Sequence, residues 1–361
     1  MNSRERFRAT CRFEPVDRPF RFETIGFWPE TIERWRGEGL PEEVDPLTAF
    51  IHFGMDLRMP LIVGDSENPG LFPTFEERIV EENGEYRIRI SRSGALIKEF
   101  QQGQSALPQC LEFPVKDMRS FEEMKWRLDP SAPGRLGEDW NEVCHLYKES
   151  EVPVVMYVCG LFGTARHLLG FENLMFSYYD NPKLIHALGE QWTRLHTGVL
   201  EQVATAEVDA VYFWEDMSYK NGPMIGPKLF REFMSPYYRR VIDCGRSVGI
   251  EVFEVDTDGN FELLIPFFLE AGVNMFLPFE VQADMDVREV RKKYGRRVII
   301  EGGLDKRALA VNEETIKKEV ESKVPFLRRD GGYIAALDHL APPDISLKNF
   351  EFFLDMVREI R

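Results

Sequence analysis

The feature that most constrains the fold is a repeated alternation of short apolar runs with helical segments. After residue 150 six such runs occur, at 153–158, 209–214, 251–260, 273–277, 297–301 and 332–336. Each run is followed by a helical pattern, which is typical of parallel βα units. Two earlier candidates, 19–24 and 55–63, bring the number of predicted strands to eight. The sequence therefore predicts an α/β fold, a single (β/α)8 TIM barrel that we expect to form one domain over residues 1–361.

Two segments fall outside this alternation. A short charged helix that Pro15 and Pro19 terminate forms an N-terminal extension, and residues from about 65 to 150 form an insertion on the barrel rim. Within the insertion, Glu81–Phe100 alternates with period two around a Ser-Gly turn, which predicts a β-hairpin. The alternative architecture is an open doubly wound sheet. Because the chain has neither G-x-G-x-x-G after the first strand nor G-x-x-x-x-G-K-[ST], no nucleotide cofactor is expected.

Composition argues against several classes of protein. The chain has 61 acidic and 45 basic residues, a formal net charge of −16, which disfavours a nucleic-acid or anionic-membrane surface. Its five cysteines include no C-x-x-C pair, so neither a disulfide framework nor a cysteine zinc site is expected. The N-terminus lacks the apolar core of a signal peptide, and no apolar run approaches the roughly 18 residues of a membrane span. We expect a soluble, cytoplasmic protein that acts on a small molecule. The sequence does not determine its oligomeric state.

Two carboxylates follow the fifth predicted strand. The apolar run from Glu251 stops at Asp256-Thr257-Asp258-Gly259, and the C-terminal ends of parallel strands are where catalytic sites are built. Asp256 and Asp258 flank one residue, so they could point to the same side of a turn and share a cation or a proton. The alternative is that Asp258-Gly259 is only a turn and that Asp256 or Asn260 caps the next helix.

Polar residues also follow the other predicted strands. The loop after 153–158 carries glycines and offers Phe162, Arg166 and His167 as substrate contacts, or it is simply a flexible connection. A long Gly- and Pro-containing loop after 209–214 is typical of a substrate-facing lid, and we expect it to contribute Asp216 to catalysis and Lys220 to substrate binding. The alternative places Lys220 in solvent. Glu280 follows the sixth strand as a further substrate contact, unless it only stabilises a helix N-terminus.

His339 completes the predicted catalytic group. It lies just beyond the eighth strand, and a lone histidine is usually structural. Strands five and eight would nevertheless deliver Asp256, Asp258 and His339 to one rim. Two carboxylates and an imidazole suit a hard or borderline divalent metal ion, or general acid–base catalysis without a metal.

Four segments carry a resemblance to a known family: 211–238, 255–286, 294–309 and 338–349. They resemble the uroporphyrinogen decarboxylase superfamily, which is similar to the methyltransferases that act on corrinoid proteins. The resemblance implies a (β/α)8 barrel with the active site in a deep cleft at the C-terminal rim.

The departures from the family patterns bear on the reaction. Porphyrinogen decarboxylases carry an arginine-rich M-R-Q-A-G-R-Y segment after the first strand, whereas this chain has Phe22–Trp28 there, without the arginines. Their catalytic aspartate falls in Met59–Asp65, where only Asp65 is acidic. Corrinoid-linked methyltransferases bind zinc through His-x-Cys and a distant Cys. Here Asp256 and Asp258 occupy the His-x-Cys positions and His339 the third, a harder ligand set that makes thiol activation by zinc less expected.

Three hypotheses about function follow from this resemblance. The first is methyl transfer involving a small methylated substrate or folate and a corrinoid, which is either a free co-substrate or bound to a partner protein. The second is decarboxylation of a tetrapyrrole or another carboxylated compound. The third is a barrel that binds a ligand without catalysis.

Overall fold

The computed structural model describes residues 1–100 and 108–360 of the chain. The strands of these residues are β1 (Met59–Ile62), β2 (Arg78–Glu82), β3 (Tyr86–Ile90), β4 (Leu96–Phe100), β5 (Gln109–Glu112), β6 (Val154–Cys159), β7 (Ala210–Trp214), β8 (Ser218–Tyr219), β9 (Gly222–Pro223), β10 (Val252–Asp256), β11 (Met275–Leu277), β12 (Ile299–Glu301) and β13 (Tyr333–Ile334). The α-helices are α1 (Ser3–Cys11), α2 (Pro29–Gly37), α3 (Ala49–His52), α4 (Met118–Met124), α5 (Trp140–Lys148), α6 (Leu161–Leu169), α7 (Phe171–Asp180), α8 (Pro182–Gln202), α9 (Pro227–Phe233), α10 (Ser235–Ser247), α11 (Ile265–Ala271), α12 (Val287–Tyr294), α13 (Lys306–Leu309), α14 (Glu313–Asp330) and α15 (Leu347–Glu359). None of these helices is both long and apolar enough to cross a membrane.

The main sheet is parallel, with strand order β1-β6-β7-β10-β11-β12-β13. These seven strands coincide with the second to eighth strands predicted from the sequence. The predicted first strand, 19–24, is wrong as a strand, because this segment does not join the ladder. It lies between the two sheet edges instead: the amide of Asp56, just before β1, donates to the carbonyl of Arg21, and the amide of Leu337, just after β13, donates to the Glu23 carboxylate.

One buried cluster shows that the sheet curves around a common interior. It unites a side chain from β6, β7, β10, β11, β12 and β13 with Phe20 of the closing segment and Phe7 of α1, namely Val155, Ala210, Val252, Met275, Ile299, Ile334, Phe20 and Phe7. The α1 helix therefore covers the N-terminal end of the interior. The larger cluster lies between the outer face of the sheet and the surrounding helices, as in an α/β barrel.

The insertion on the rim is larger than the predicted hairpin. β3 and β4 form that hairpin, and β2 and β5 flank it in a four-stranded antiparallel sheet of order β2-β3-β4-β5. Residues 101–107 of the predicted insertion lie outside the described residues. The sequence pattern showed only the central pair, because the flanking strands have exposed side chains and no clear alternation of apolar residues.

Candidate active site

The inner face of the barrel changes from apolar to polar toward the C-terminal ends of the strands. Side chains two residues apart on a strand share a face, so Tyr157 and Tyr212 lie above Val155 and Ala210 of the apolar layer. On β10 the same rule places Glu254 and then Asp256 above Val252, and on β12 it places Glu301 above Ile299. The two tyrosine rings contact each other, with centroids 4.8 Å apart. Aromatic and acidic side chains therefore form the floor of a site at the C-terminal rim.

A buried arginine crosses this floor. The Arg58 guanidinium lies 3.1 Å from the Glu254 carboxylate and also contacts the Glu301 carboxylate, and its side chain is only 3% exposed. It also lies over the Phe22 ring, 4.3 Å from the centroid. A desolvated charge requires compensation of this kind. We did not predict this cluster from the sequence.

The acids of the floor outnumber its cation. Burial raises the pKa of Glu254 above its ordinary value and raises the pKa of Glu301 to about 7, while Arg58 opposes both shifts. The second oxygen of Glu301, Oε1, is buried and has no hydrogen-bond partner among the described residues. The floor therefore carries carboxyl groups that favour either a proton or an added positive charge.

Asp256 is the uppermost carboxyl of this inner face. It is buried, and the Tyr212 hydroxyl donates a hydrogen bond to its Oδ2. Burial first, and then the neighbouring charge of Asp258, raise the pKa of Asp256 well above its usual range. Among the described residues no lysine or arginine pairs with it. Asp256 therefore holds a proton at a pH where an exposed aspartate is ionised.

Asp258 and His339 meet at the mouth above Asp256. The His339 Nε2 lies 3.4 Å from Asp258 Oδ2, and both side chains are partly exposed. Of the three residues predicted to approach one another, the structure brings the side chains of Asp258 and His339 together. As a metal centre the predicted set does not fit: among residues 1–100 and 108–360 no group of three or more His, Cys, Asp or Glu side chains is arranged to hold an ion. The reason is directional, because Asp256 faces inward to Tyr212 while Asp258 faces His339.

Arg166 and Asp216 form a second pair at the rim. The Arg166 guanidinium lies 2.9 Å from Asp216 Oδ2, donates to the Asp216 carbonyl, and lies 5.1 Å from the centroid of the Trp214 ring. The Asp216 amide donates to the carbonyl of Asp256 at 3.3 Å, which joins this pair to the β10 terminus. His167 lies beside Trp214, with its Nε2 buried and unpartnered among the described residues. Burial, assisted by Arg166, lowers the pKa of His167 to about 4, so it is neutral.

Glu280 joins the turn after β10 to the next loops. Its Oε2 accepts from the Gly259 amide at 2.9 Å, and its Oε1 lies 3.4 Å from Lys306 Nζ. Lys306 also lies 3.7 Å from buried Asp338, whose carboxylate accepts from the amides of Val281 and Lys306. Lys306 and Asp338 therefore complete the support of Glu280, a pair that the sequence patterns did not single out for this role.

Two residues predicted to bind substrate lie elsewhere. Phe162 is 0% exposed and packs in the core between α6 and the sheet, so it offers no surface to a ligand. The glycines that flank it in the sequence had indicated a loop, but the segment is the first turn of α6. Lys220 is exposed at the tip of the β8–β9 hairpin, on the outer side of the predicted lid, as the solvent alternative had proposed.

Gly259 fixes the position of that hairpin over the site. Its φ is +73°, and a Cβ there would lie 2.7 Å from the backbone of Tyr219, to whose carbonyl the Asn260 amide donates. We expect Gly259→Ala to lower the free energy of unfolding by about 2 to 4 kcal/mol, from strain at positive φ plus this contact. Urea denaturation measures the change.

Gly249→Ala is the matched control for this substitution. Gly249 also has positive φ, +96°, but nothing lies within 4 Å of its Cβ position. It should therefore show the backbone strain alone. Equal destabilisation by both variants would mean that contact with the hairpin contributes nothing.

The mouth of the barrel is open on the side of β1. Ile62 pairs in register with Tyr157 and is 62% exposed, which is unusual for a side chain at the inner end of a barrel strand. A separate cavity of about 470 Å³ opens at the opposite, N-terminal rim. Four of its charged side chains form two ion pairs, Arg8 with Asp209 and Arg12 with Glu251, and it lies away from the C-terminal site.

The fold and the rim together define an α/β-barrel protein with an acidic, partly buried site at the C-terminal ends of its strands. The sequence profile of the family described as Uroporphyrinogen decarboxylase (URO-D) matches residues 99–360. The chain belongs to the uroporphyrinogen decarboxylase family, as its motifs had predicted.

Individual relatives are distant. The chain is 24% identical over 188 residues to the uroporphyrinogen decarboxylase of Pseudomonas fluorescens, covering 50% of each protein. It is 23% identical over 245 residues to the enzyme of Pseudomonas syringae pv. tomato, covering 64% of this chain and 66% of that protein. The matches thus span about half to two thirds of the length of these relatives. Among solved structures, a methyltransferase from Methanosarcina mazei superposes with a TM-score of 0.64 over 99% of both chains at 16% identity, which shows a shared fold.

Proposed function

We propose that this protein is an enzyme that transfers a methyl group from a small, neutral or cationic methylated compound to a corrinoid. The observation that carries the proposal is the charge of the site. Arg58, Arg166 and Lys306 already pair with carboxylates, whereas Asp256 has no cationic partner among the described residues. A porphyrinogen with several carboxylates would require unpaired cations. The acidic site favours substrates without negative charge.

The mouth of the barrel has the surface that such an acceptor requires. A corrinoid in its reduced cobalt(I) state would supply the nucleophile for the methyl group. Its macrocycle is broad and largely apolar on its faces. Exposed apolar side chains lie at the end of β1, in the segments after β7 and β10, and just after the closing segment: Ile62, Tyr219, Leu263 and Trp28. Exposed apolar groups of this size fit a ligand or a partner surface better than bulk water.

Roles for the residues of the site follow from their positions. Asp256, at the bottom of the mouth with Tyr212, faces the methyl-bearing group of the donor. The His339–Asp258 pair, nearer to solvent, would give a proton to the demethylated product as it departs. Arg166, Asp216 and Glu280 hold the loops that carry these groups.

The experiment is a methyl-transfer assay with the full chain, chemically reduced cobalamin and a panel of methylated amines and ethers. Formation of methylcobalamin in the presence of protein and donor supports the proposal. Decarboxylation is the second candidate, favoured by the names of the curated relatives. It predicts release of carbon dioxide from uroporphyrinogen without methylcobalamin formation, an outcome that would overturn the first proposal.

A double-mutant cycle tests whether Asp258 and His339 act as a unit. We expect His339→Gln and Asp258→Asn each to lower kcat by about 10- to 100-fold, because either change removes the proton-transferring pair. The double variant should lose little more than each single variant, since residues in contact are not additive. Independent, multiplying losses would show that the 3.4 Å contact has no functional meaning.

A further inference from the structure

Two cations near the mouth are held by the same arrangement, an aromatic ring together with a carboxylate. Arg58 lies over the ring of Phe22 and pairs with Glu254. Arg166 lies over the ring of Trp214 and pairs with Asp216. Aromatic faces attract cations through their quadrupole, and the attraction strengthens as water is removed. An aromatic ring and a carboxylate therefore stabilise a guanidinium at two places close to the site.

A third set of the same composition has no cation of its own. The rings of Tyr157 and Tyr212 contact each other, and the Tyr212 hydroxyl donates to Asp256. Arg58 interacts with the Tyr157 hydroxyl, but its guanidinium pairs with Glu254 and Glu301. Among the described residues no lysine or arginine pairs with Asp256. Both tyrosines are partly exposed, unlike the apolar layer beneath them. This third set is thus an incomplete cation site.

The charge of the surrounding floor points to the same deficit. Glu254 and Glu301 share the guanidinium of Arg58, and buried Asp256 has no cationic partner among the described residues. The Glu301 side chain is fully buried, and its Oε1, on the inner face of the barrel, has no hydrogen-bond partner among the described residues. Buried carboxyl groups in excess of their cations are costly unless they bind protons or another positive charge.

The set is also accessible. Ile62, the register partner of Tyr157, is exposed on the inner side of the strand end. A molecule that enters past Ile62 meets Tyr157 on β6, then Tyr212 on β7, and then Asp256 at the end of β10. Its positive group would displace the proton of Asp256 and leave the Tyr212 hydrogen bond in place.

We propose that the methyl donor is an N-methylated ammonium cation, bound with its onium group against Tyr157 and Tyr212 and paired with Asp256. The inference rests on the proposed function, whose donor class it narrows. During transfer the N–CH₃ bond breaks, the nitrogen keeps the electron pair as a neutral amine, and the methyl group passes to the reduced corrinoid. Loss of the positive charge weakens the attraction to Asp256, so the neutral amine leaves this carboxyl before the His339–Asp258 pair, nearer to solvent, would give it a proton.

Calorimetric titration of the full chain without corrinoid tests the inference at pH 8. Choline is the probe, and 3,3-dimethylbutan-1-ol is its uncharged analogue of equal shape. We expect choline to bind at least about tenfold more tightly than the alcohol, the order expected for a desolvated cation over aromatic rings. Asp256→Asn and Tyr212→Leu should each weaken choline binding by about tenfold or more and leave binding of the alcohol little changed.

Glu251→Gln is the matched control. Glu251 immediately precedes β10 and lies at the opposite rim, so its substitution replaces one carboxyl group by an amide, as Asp256→Asn does, without altering the site. Choline affinity should be unchanged in this variant, and circular dichroism checks that every variant is folded.

The inference is overturned if choline does not bind, if the alcohol binds equally well, or if Asp256→Asn has no effect on choline affinity. Methyl transfer from neutral ethers alone would support the proposed function and reject the ammonium donor. Choline binding without any methyl transfer would support the ammonium site and reject the proposed function.

Discussion

Asp256→Asn is expected to lower kcat/KM for a cationic methyl donor by about 100-fold, the order found when one partner of a desolvated charge pair is removed. The amide retains the size of the carboxyl and can still accept from Tyr212, so the loss reports the charge. Most of the effect should appear in KM, because the carboxylate pairs with a charge that the transition state is losing. Steady-state kinetics measures it, and Glu251→Gln should match the wild type. A variant that retains a third of wild-type kcat/KM would contradict this role.

The pH dependence of the same reaction has a definite sign. Burial and Asp258 raise the pKa of Asp256 well above its usual range, and only the ionised carboxylate pairs with a cation. For a quaternary donor, kcat/KM should therefore rise as the pH rises through this raised pKa, and Asp256→Asn should lack that rise. A fall instead would indicate that Asp256 acts as a proton donor.

Stability should change in the opposite direction. A carboxyl whose pKa is raised on folding contributes stability that is fully present below its ordinary pKa and is lost as the pH rises through the raised pKa. Asparagine has no such loss, so the variant should become more stable relative to the wild type as the pH rises. Opposite effects on binding and on stability would separate the role of Asp256 from any damage to the fold.

The strands of the main sheet could be predicted because they depend on local patterns. Seven of the eight predicted strands join the sheet. Six of them have apolar runs that are largely buried on both faces, as is typical of parallel strands, whereas the edge strand β1 is mostly exposed. The first predicted strand failed for a physical reason. Segment 19–24 has the right alternation, but it reaches each sheet edge through isolated hydrogen bonds, and one of these uses the Glu23 side chain.

The interior cluster could not be predicted in the same way. Arg58 precedes a short strand that contains Pro60, and nothing local shows that its side chain crosses the barrel to Glu254 and Glu301. One signal was available: Glu254 lies two residues before Asp256 on a strand that is otherwise apolar, so it had to face inward with a partner. The same rule separates Asp256 from Asp258. Asp256 is the last residue of β10 and faces inward, whereas Asp258 lies beyond the strand, so the side chains predicted to bind a metal do not form one cluster among the described residues.

Arg58 is the residue whose loss should damage the fold most. Its guanidinium compensates two fully buried carboxylates that come from β10 and β12, strands on different sides of β11. Breaking a buried ion pair by removing one partner costs far more than the pair contributes, because the remaining charges stay desolvated. Two carboxylates would be left without compensation in one interior.

Arg58→Met is therefore expected to lower the free energy of unfolding by about 3 to 5 kcal/mol at pH 8, as for other broken buried pairs. The loss should shrink at pH 5.5, because Arg58 normally lowers the pKa values of Glu254 and Glu301, and without it both acids bind protons more readily in the folded state. Urea denaturation at the two pH values measures both effects. Adding Glu254→Gln and Glu301→Gln should restore much of the stability, since the two carboxylates that Arg58 compensates are then neutral amides. The control Arg12→Ala breaks an exposed pair and should change the free energy of unfolding by less than about 1 kcal/mol. A loss that is independent of pH and is not restored in the triple variant would mean that Arg58 stabilises the barrel by packing on Phe22 rather than by its charge.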